Sequence, residues 1–108
     1  MTYERFEDLP VWNAAIEFAG RIYGLTEGPV FKGRFSLRDR IERATVSISN
    51  NIAEGFERGT TQELLTFLYI ARGSAGEVRS MQCLLDTLPA FSSLKSEISN
   101  LKSTAEGI

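Results

Sequence analysis

The sequence predicts an all-α fold, an antiparallel up-down four-helix bundle, from three observations. Apolar residues recur at three- and four-residue spacing over four stretches, and few runs alternate with the two-residue period of a strand. The three prolines lie between these stretches or at their edges, and the links are mostly short, which favours helices that run alternately up and down. With 108 residues, 43% hydrophobic and 24% charged, the chain is expected to form one domain over residues 1–108.

The first helix is expected from about Pro10 to Leu25, with Asp8 as a candidate N-cap. It carries two apolar stripes, although a helix on the outside of a monomeric bundle needs only one. One stripe consists of Val11, Ala15, Phe18, Ile22 and Leu25, and the other of Trp12, Ile16, Ala19 and Tyr23. Two stripes indicate either a second burial surface, such as a contact with another subunit, or a wide core face.

The second helix follows a loop that is expected over residues 24–36, where glycine and proline interrupt the pattern. Ser36 is placed to cap this helix, which should run from about Leu37 to Phe56. Gly55 and Gly59 bracket its end. Its apolar stripe consists of Leu37, Ile41, Ala44, Ile48 and Ile52.

Thr60 or Thr61 is placed to cap the third helix, and Thr60 followed three residues later by Glu63 fits the spacing of a capping box. It should run to about Leu88, and Pro89 ends it or starts the next helix. Its apolar residues form two stripes, one of Leu64, Leu68, Ala71, Ala75, Val78 and Leu85 and one of Phe67, Ile70, Met81, Leu84 and Leu88. The fourth helix shows Phe91, Leu94, Ile98, Leu101 and Ala105 at the same spacing. Its polar face is rich in serine, so we expect it to depend on packing.

Polar residues interrupt the apolar faces of the second and third helices. We predict a structural network of Arg43, Ser47, Asn51, Glu54, Ser74 and Glu77. A hairpin about Arg58 would bring Arg43 near Ser74 and Arg40 near Glu77. Arg40 or Arg43 is then predicted to pair with Glu77, because burying an unpaired carboxylate costs several kcal/mol. The network either fixes the register of the two helices or forms a ligand or nucleotide site.

Two glycines, Gly73 and Gly76, lie inside the third helix. Each costs about 1 kcal/mol relative to alanine, so a packing reason is expected. The simplest reason is the close approach of a neighbouring backbone.

The composition argues against an enzyme. Histidine is absent and Cys83 is the single cysteine, which excludes Ser-His-Asp and Cys-His nucleophile systems, His/Cys zinc sites and disulfides within one chain. A diiron bundle needs Glu-x-x-His pairs, and no D-x-D cluster supports a magnesium site. We therefore expect no catalysis, no cofactor and no metal, and Cys83 is expected to be a small core or interface residue.

The remaining composition predicts a cytoplasmic protein of bacterial type. No apolar run approaches the length that spans a bilayer, and the acidic, mixed N-terminus does not resemble a secretory signal.

Nucleic-acid binding depends on one local patch, because the net charge of −2 excludes a globally basic protein. The segment from Phe31 to Arg43 holds five basic and two acidic residues. The expected phosphate contacts are Lys32, Arg34, Arg38 and Arg40. Phe31 and Phe35 interleave with them and are candidates for stacking on bases. The alternative is that the aromatic rings close the end of the bundle while the charges are solvated or paired.

Three motifs in this chain carry a family resemblance. Residues 47–55, S-I-S-N-N-I-A-E-G, resemble the S-I-x-x-N-I-A-E-G motif of the four-helix-bundle proteins encoded by 23S rRNA intervening sequences. Residues 71–77, A-R-G-S-A-G-E, resemble that family's A-x-G-S-x-x-E motif, and residues 6–12, F-E-D-L-P-V-W, resemble its opening F-x-x-L-x-V-W. The resemblance covers about residues 6–88.

This family is similar to the accessory variability determinant of diversity-generating retroelements, a bundle that assembles as a ring-like pentamer and works with a reverse transcriptase and nucleic acid. The resemblance therefore implies a homopentamer, with RNA or DNA and a reverse transcriptase as partners. A ring would also repeat the basic patch and add avidity. One departure weakens the implied binding: ahead of Ala44 the family often has Q-L-R-R, whereas residues 40–43 read R-I-E-R, with an acid in place of an arginine.

Two functions follow from these expectations. The first is a non-catalytic oligomeric accessory protein associated with RNA or DNA. The alternative is a purely structural homo-oligomeric scaffold that recruits another protein and binds no nucleic acid.

Overall fold

A computed structural model describes residues 3–107, and four helices contain most of them. The helices are α1 (Pro10–Thr26), α2 (Phe35–Glu57), α3 (Thr61–Thr87) and α4 (Lys95–Glu106). Short 3-10 turns precede α1, α2 and α4 at Phe6–Asp8, Pro29–Phe31 and Pro89–Leu94. Within residues 3–107 there is no strand, and the predicted all-α fold of four helices is confirmed.

The start of α3 is capped as predicted. The Thr60 hydroxyl accepts a hydrogen bond from the backbone N–H of Glu63 at 3.2 Å, which satisfies one of the free donors of the first turn. Gly59 before it has a φ of +86°, a conformation that glycine adopts without strain. The local sequence, with Gly59 and Thr60, therefore favours the turn between α2 and α3.

The two other predicted caps are wrong. Asp8 lies inside the 3-10 turn before α1, and Leu9, which has no side-chain acceptor, occupies the N-cap position. The helix begins at Pro10, whose fixed φ suits the first turn. Ser36 lies in the first turn of α2, which already begins at Phe35, and no side chain caps this helix.

The core takes one stripe from each helix, and α1 contributes only one of its two stripes. Its buried side chains are Ala15, Phe18, Ile22 and Leu25. In the other stripe Trp12, Ala19 and Tyr23 are half-buried, and Ile16 is 44% exposed. Part of the apolar surface of α1 thus remains outside the core of the single chain.

The register of α2 against α3 is set by a close contact at Gly55. A Cβ atom added there would lie 2.5 Å from the Cβ atom of Phe67, so only glycine fits. Gly73 and Gly76 do not have this role, because both are exposed and no described atom beyond the adjoining turns of their own helix lies within 4 Å of an added Cβ. The predicted backbone approach at these two glycines is therefore wrong within one chain.

Aromatic rings close one end of the bundle. Phe31 is only 2% exposed and packs edge-on against the buried Phe91, with ring centroids 4.9 Å apart. On α4, Ile98, Leu101 and Ala105 are buried as their spacing predicts. Among the described residues no helix is both long and apolar enough to cross a membrane.

Candidate nucleic-acid interface

The polar face of α2 borders two neighbouring grooves. One, of about 570 Å³, lies between α2 and α3 and is lined by Ser36, Asp39, Arg40, Arg43, Ala44, Ser47 and Glu77. The other, of about 430 Å³, lies between α2 and α1 and is lined by Tyr23, Arg43, Val46, Ser47, Asn50, Asn51 and Glu54. Arg43 and Ser47 line both grooves, so these form one continuous polar surface.

A hydrogen-bonded cluster links α2 to α3 beneath this surface. The hydroxyl groups of Ser47 and Ser74 lie 2.9 Å apart. The Asn51 side-chain amide donates to the backbone carbonyl of Ser47 at 2.7 Å and to its hydroxyl at 2.9 Å. All three side chains are half-buried, so these bonds replace water that packing has removed. Three of the six predicted network residues therefore meet.

Glu77 is not a member of this cluster. It is exposed, and within residues 3–107 no ion pair of 4.0 Å or less joins it to Arg40 or Arg43. The predicted pair is wrong because Ser47, rather than Arg43, faces Ser74. The contact lies one helical turn further along α2 than a hairpin about Arg58 would place it. The fit of Phe67 on Gly55 sets this register.

The two remaining network residues form exposed pairs within α2 or at its end. Arg43 lies 3.6 Å from Asp39, one turn earlier, and both side chains are largely in water. Glu54 lies 2.9 Å from Arg58, whose guanidinium group also stacks on the ring of Phe67. Exposed pairs of this kind contribute little to stability, so Arg43 does not hold α2 to α3, and Glu54 reaches α3 only through Arg58, which lies 3.8 Å from Glu63.

The basic patch contains one structural arginine. Arg38 pairs with Glu42 at 3.0 Å, and the same carboxylate oxygen accepts a 2.5 Å hydrogen bond from the buried Thr26 hydroxyl at the end of α1. Glu42 is therefore a link between α1 and α2. The four-residue spacing of Arg38 and Glu42 is a helix-pairing signal that could have revealed this link.

The other predicted phosphate contacts differ in how accessible they are. Arg34 is exposed but lies over the Phe91 ring, 5.3 Å from its centroid. Lys32 and Arg40 are exposed and form no ion pair within 4.0 Å among residues 3–107. Phe35, directly after Arg34, is 79% exposed. Of the two candidate stacking rings, Phe31 closes the bundle and Phe35 is free to contact a ligand.

Cys83 is exposed, so the expectation that it lies in the core is wrong for the single chain. Its Sγ lies 4.0 Å from the Nζ of Lys102, which donates to the Asp86 carboxylate at 3.2 Å. The bond to Asp86, with a smaller contribution from Cys83, raises the pKa of Lys102. Among the described residues no group of three His, Cys, Asp or Glu side chains is placed to hold a metal ion.

Comparison with known proteins identifies the family. The family model described as 23S rRNA-intervening sequence protein matches residues 7–108. No curated protein and no solved structure matches the chain. The match spans all four helices, including the serine-rich α4 that the three sequence motifs do not reach. The chain belongs to the 23S rRNA-intervening sequence protein family.

Proposed function

We propose that this protein is a non-catalytic accessory protein that associates with RNA or DNA and acts as a homo-oligomer. One observation carries the proposal: Phe35 is the most exposed large apolar side chain among residues 3–107 and stands within a run of basic residues. An exposed ring beside cations suits a base that stacks while its phosphates are neutralised. The family name is consistent with an RNA-related role.

The phosphate contacts of this interface are assigned to Lys32 and Arg40, with Arg34 beside them. No carboxylate of the described residues lies within 4.0 Å of the charged group of Lys32 or Arg40, so their charges are available to a phosphate. Arg38 is instead committed to Glu42 and positions α2. A single chain should bind nucleic acid weakly. It neutralises few phosphates, so few counterions are released on binding.

Assembly into a ring compensates for weak binding by one chain. A homopentamer is what the resemblance implies, and an odd-numbered ring needs two different surfaces that contact each other. The half-exposed α1 stripe around Ile16 supplies one surface. Ile70 and Leu84, both about half exposed and fourteen residues apart on α3, supply the other. Within each chain, an antiparallel arrangement of α2 and α3 is supported by two contacts. Gly55 packs against Phe67, and Ser47, two turns earlier on α2, bonds to Ser74, two turns later on α3.

The protein partner that the resemblance implies is a reverse transcriptase. A scaffold that recruits a protein and binds no nucleic acid is the second candidate. It is favoured by the pairing of Arg38 with Glu42 and by the contact of Arg34 with Phe91, since both contacts reduce the free positive charge of the patch.

A mobility-shift titration with structured RNA and DNA across a salt series tests the proposal. The double variant Lys32→Gln with Arg40→Gln should weaken binding and lower the slope of log K against log salt by about 2. The matched control is Arg5→Gln with Arg21→Gln. It removes the same number of positive charges outside the basic patch, one before the first 3-10 turn and one within α1. Absence of binding by the wild-type protein at low salt overturns the nucleic-acid function and leaves the scaffold.

Sedimentation tests the assembly separately. The wild-type protein should sediment as a multiple of 12.0 kDa, and Ile16→Lys should release folded single chains, because a charge would be buried in the contact. A wild-type protein that is already a single chain at working concentration overturns the oligomer.

A further inference from the structure

A groove of about 750 Å³ opens between α3 and α4 and shares no lining residue with the polar surface of α2. Its walls include Tyr69, Arg72, Gly73, Gly76 and Arg79 of α3 and Glu106 of α4. On α3 the residues at positions 69, 72, 76 and 79 follow a three- and four-residue spacing, so they share one helix face. No role described above uses this face.

The floor of the groove is bare helix backbone. Gly73 and Gly76 are exposed, and outside the adjoining helix turns a Cβ at either position would meet no atom of residues 3–107 within 4 Å. Two glycines in a helix carry a conformational cost that packing inside this chain does not offset. Tyr69, one turn before Gly73, holds its ring 70% exposed beside this floor. The result is a flat, open strip with an aromatic edge, which suits a planar ligand.

Positive charge lines the same strip. Arg72 and Arg79 are seven residues apart, a rise of about 10.5 Å along α3. Arg72 has no ion pair within 4.0 Å among residues 3–107. Arg79 lies 3.7 Å from Glu106, and both side chains are about half exposed, so an incoming anion can replace this carboxylate at little cost.

We propose that this groove binds a nucleotide unit of a single-stranded nucleic acid, with the base on Tyr69 and the phosphates on Arg72 and Arg79. The inference rests on the proposed nucleic-acid function. It adds a second contact region and a preference for single-stranded over double-stranded nucleic acid. Bases within a duplex are stacked on each other, so only an unpaired base can reach an aromatic side chain. A free mononucleotide presents the same chemistry and is one arm of the test.

The test is a fluorescence-anisotropy titration with a labelled single-stranded oligoribonucleotide, the same strand in a duplex, and a labelled mononucleotide. Tyr69→Ala and Arg72→Gln should each weaken binding of the single strand by about fivefold or more. Glu106→Gln should strengthen it, since this change frees Arg79 from its carboxylate. Gly73→Ala with Gly76→Ala should weaken it while leaving the circular-dichroism spectrum helical, because the added methyl groups fill the floor and clash with nothing in the chain.

The controls are Tyr3→Ala and Arg21→Gln, an exposed tyrosine and an exposed arginine outside the groove, and both should bind as the wild type does. If the wild type binds and the Tyr69 and Arg72 variants bind equally well, the groove site is overturned and the basic patch stands. If the wild type binds nothing at low salt, the proposed function itself fails. Tighter binding of the mononucleotide than of the oligonucleotide overturns the strand assignment. If the glycine variant changes the mass of the particle, the face is a contact between copies and the site is overturned.

Discussion

Helix α3 packs against α2 on one side and α4 on the other, and the two contacts are built differently. The α2 contact is tight, with Phe67 seated on Gly55 and the hydroxyl of Ser47 bonded to that of Ser74. The amide of Asn51 completes this polar cluster. Shape and polar pairing agree there on one register.

The C-terminal half of α3, which contacts α4 through Asp86, buries polar atoms that have no partner among the described residues. Gln82 is fully buried, and neither amide atom has a hydrogen-bond partner among the described residues. One oxygen of Asp86 is also buried without a partner, while the other accepts from Lys102 at 3.2 Å. The same side of α3 opens into the groove at Gly73 and Gly76.

The difference between these contacts indicates that the two sides of α3 have different roles. Satisfied polar groups in a tight contact fix the alignment of two helices, whereas unsatisfied groups and open backbone reduce stability where they occur. The α2–α3 pair therefore acts as the rigid frame, and the α3–α4 side retains accessible space. Four experiments test this difference between the two contacts.

The largest effect is expected from Gly55→Ala. The new Cβ would lie 2.5 Å from the Cβ of Phe67, so the helices must separate, and we expect a loss of about 2 kcal/mol in the free energy of unfolding. Gly73→Ala is the matched control and should gain about 1 kcal/mol, because its methyl group meets open space. Urea unfolding followed by circular dichroism measures both. If both variants change the free energy of unfolding equally and with the same sign, the contact between α2 and α3 at Gly55 is not tight.

Gln82→Met should stabilise the protein by about 1.5 kcal/mol. The thioether has a similar shape and removes two buried polar atoms that lack partners. The same urea measurement applies, with Gln62→Met on the exposed start of α3 as the control, which should leave stability within about 0.5 kcal/mol of the wild type. A destabilised Gln82→Met variant would mean that the amide is satisfied in solution.

Ser47→Ala and Ser74→Ala should each cost about 1 kcal/mol. Because the two hydroxyl groups bond to each other, the double variant should cost less than the sum of the single variants. Ser47→Ala should be the more harmful, since Asn51 also donates to this hydroxyl. If the stability losses of the two single variants add exactly, the hydrogen bond between Ser47 and Ser74 does not help to fix the register of α2 against α3.

The smallest effect concerns pH. The pKa of Lys102 is raised in the folded state, chiefly by its hydrogen bond to Asp86. The stabilisation is therefore complete below the unfolded pKa of about 10.4 and is lost as pH rises through the higher folded value. Urea midpoints of the wild type and Lys102→Met should converge over that alkaline range. The control variant is Lys95→Met, which removes an exposed lysine on the same helix. A difference between the wild type and Lys102→Met that does not change over this pH range would contradict the assigned contribution of Lys102.

The helices could be predicted from the sequence because each carries its own signals. Apolar spacing located all four, and Thr60 with Glu63 marked the start of α3. The family motif around Asn51 and Ser74 correctly singled out polar residues that meet between α2 and α3. These features depend on residues close together in the chain or repeated at a helical period.

Side-chain partners across helices could not be predicted in the same way. A shift of one turn along α2 exchanged Arg43 for Ser47 opposite Ser74 and left Glu77 in water. The fit of Phe67 on Gly55 and the hydrogen bond between Ser47 and Ser74 decided this register, and spacing along one helix contains no information about where a neighbouring helix lies.

The helical class, the approximate bounds of each helix and the family follow from the amino-acid sequence alone, since all three depend on local pattern. The tertiary structure decided which charges are engaged and which are free: Arg38 with Glu42, Arg34 over Phe91, and Lys32, Arg40 and Arg72 without an ion pair among the described residues. The physical reason is that the availability of a charge depends on what lies within a few ångströms in space, and packing brings together residues that are distant in the chain.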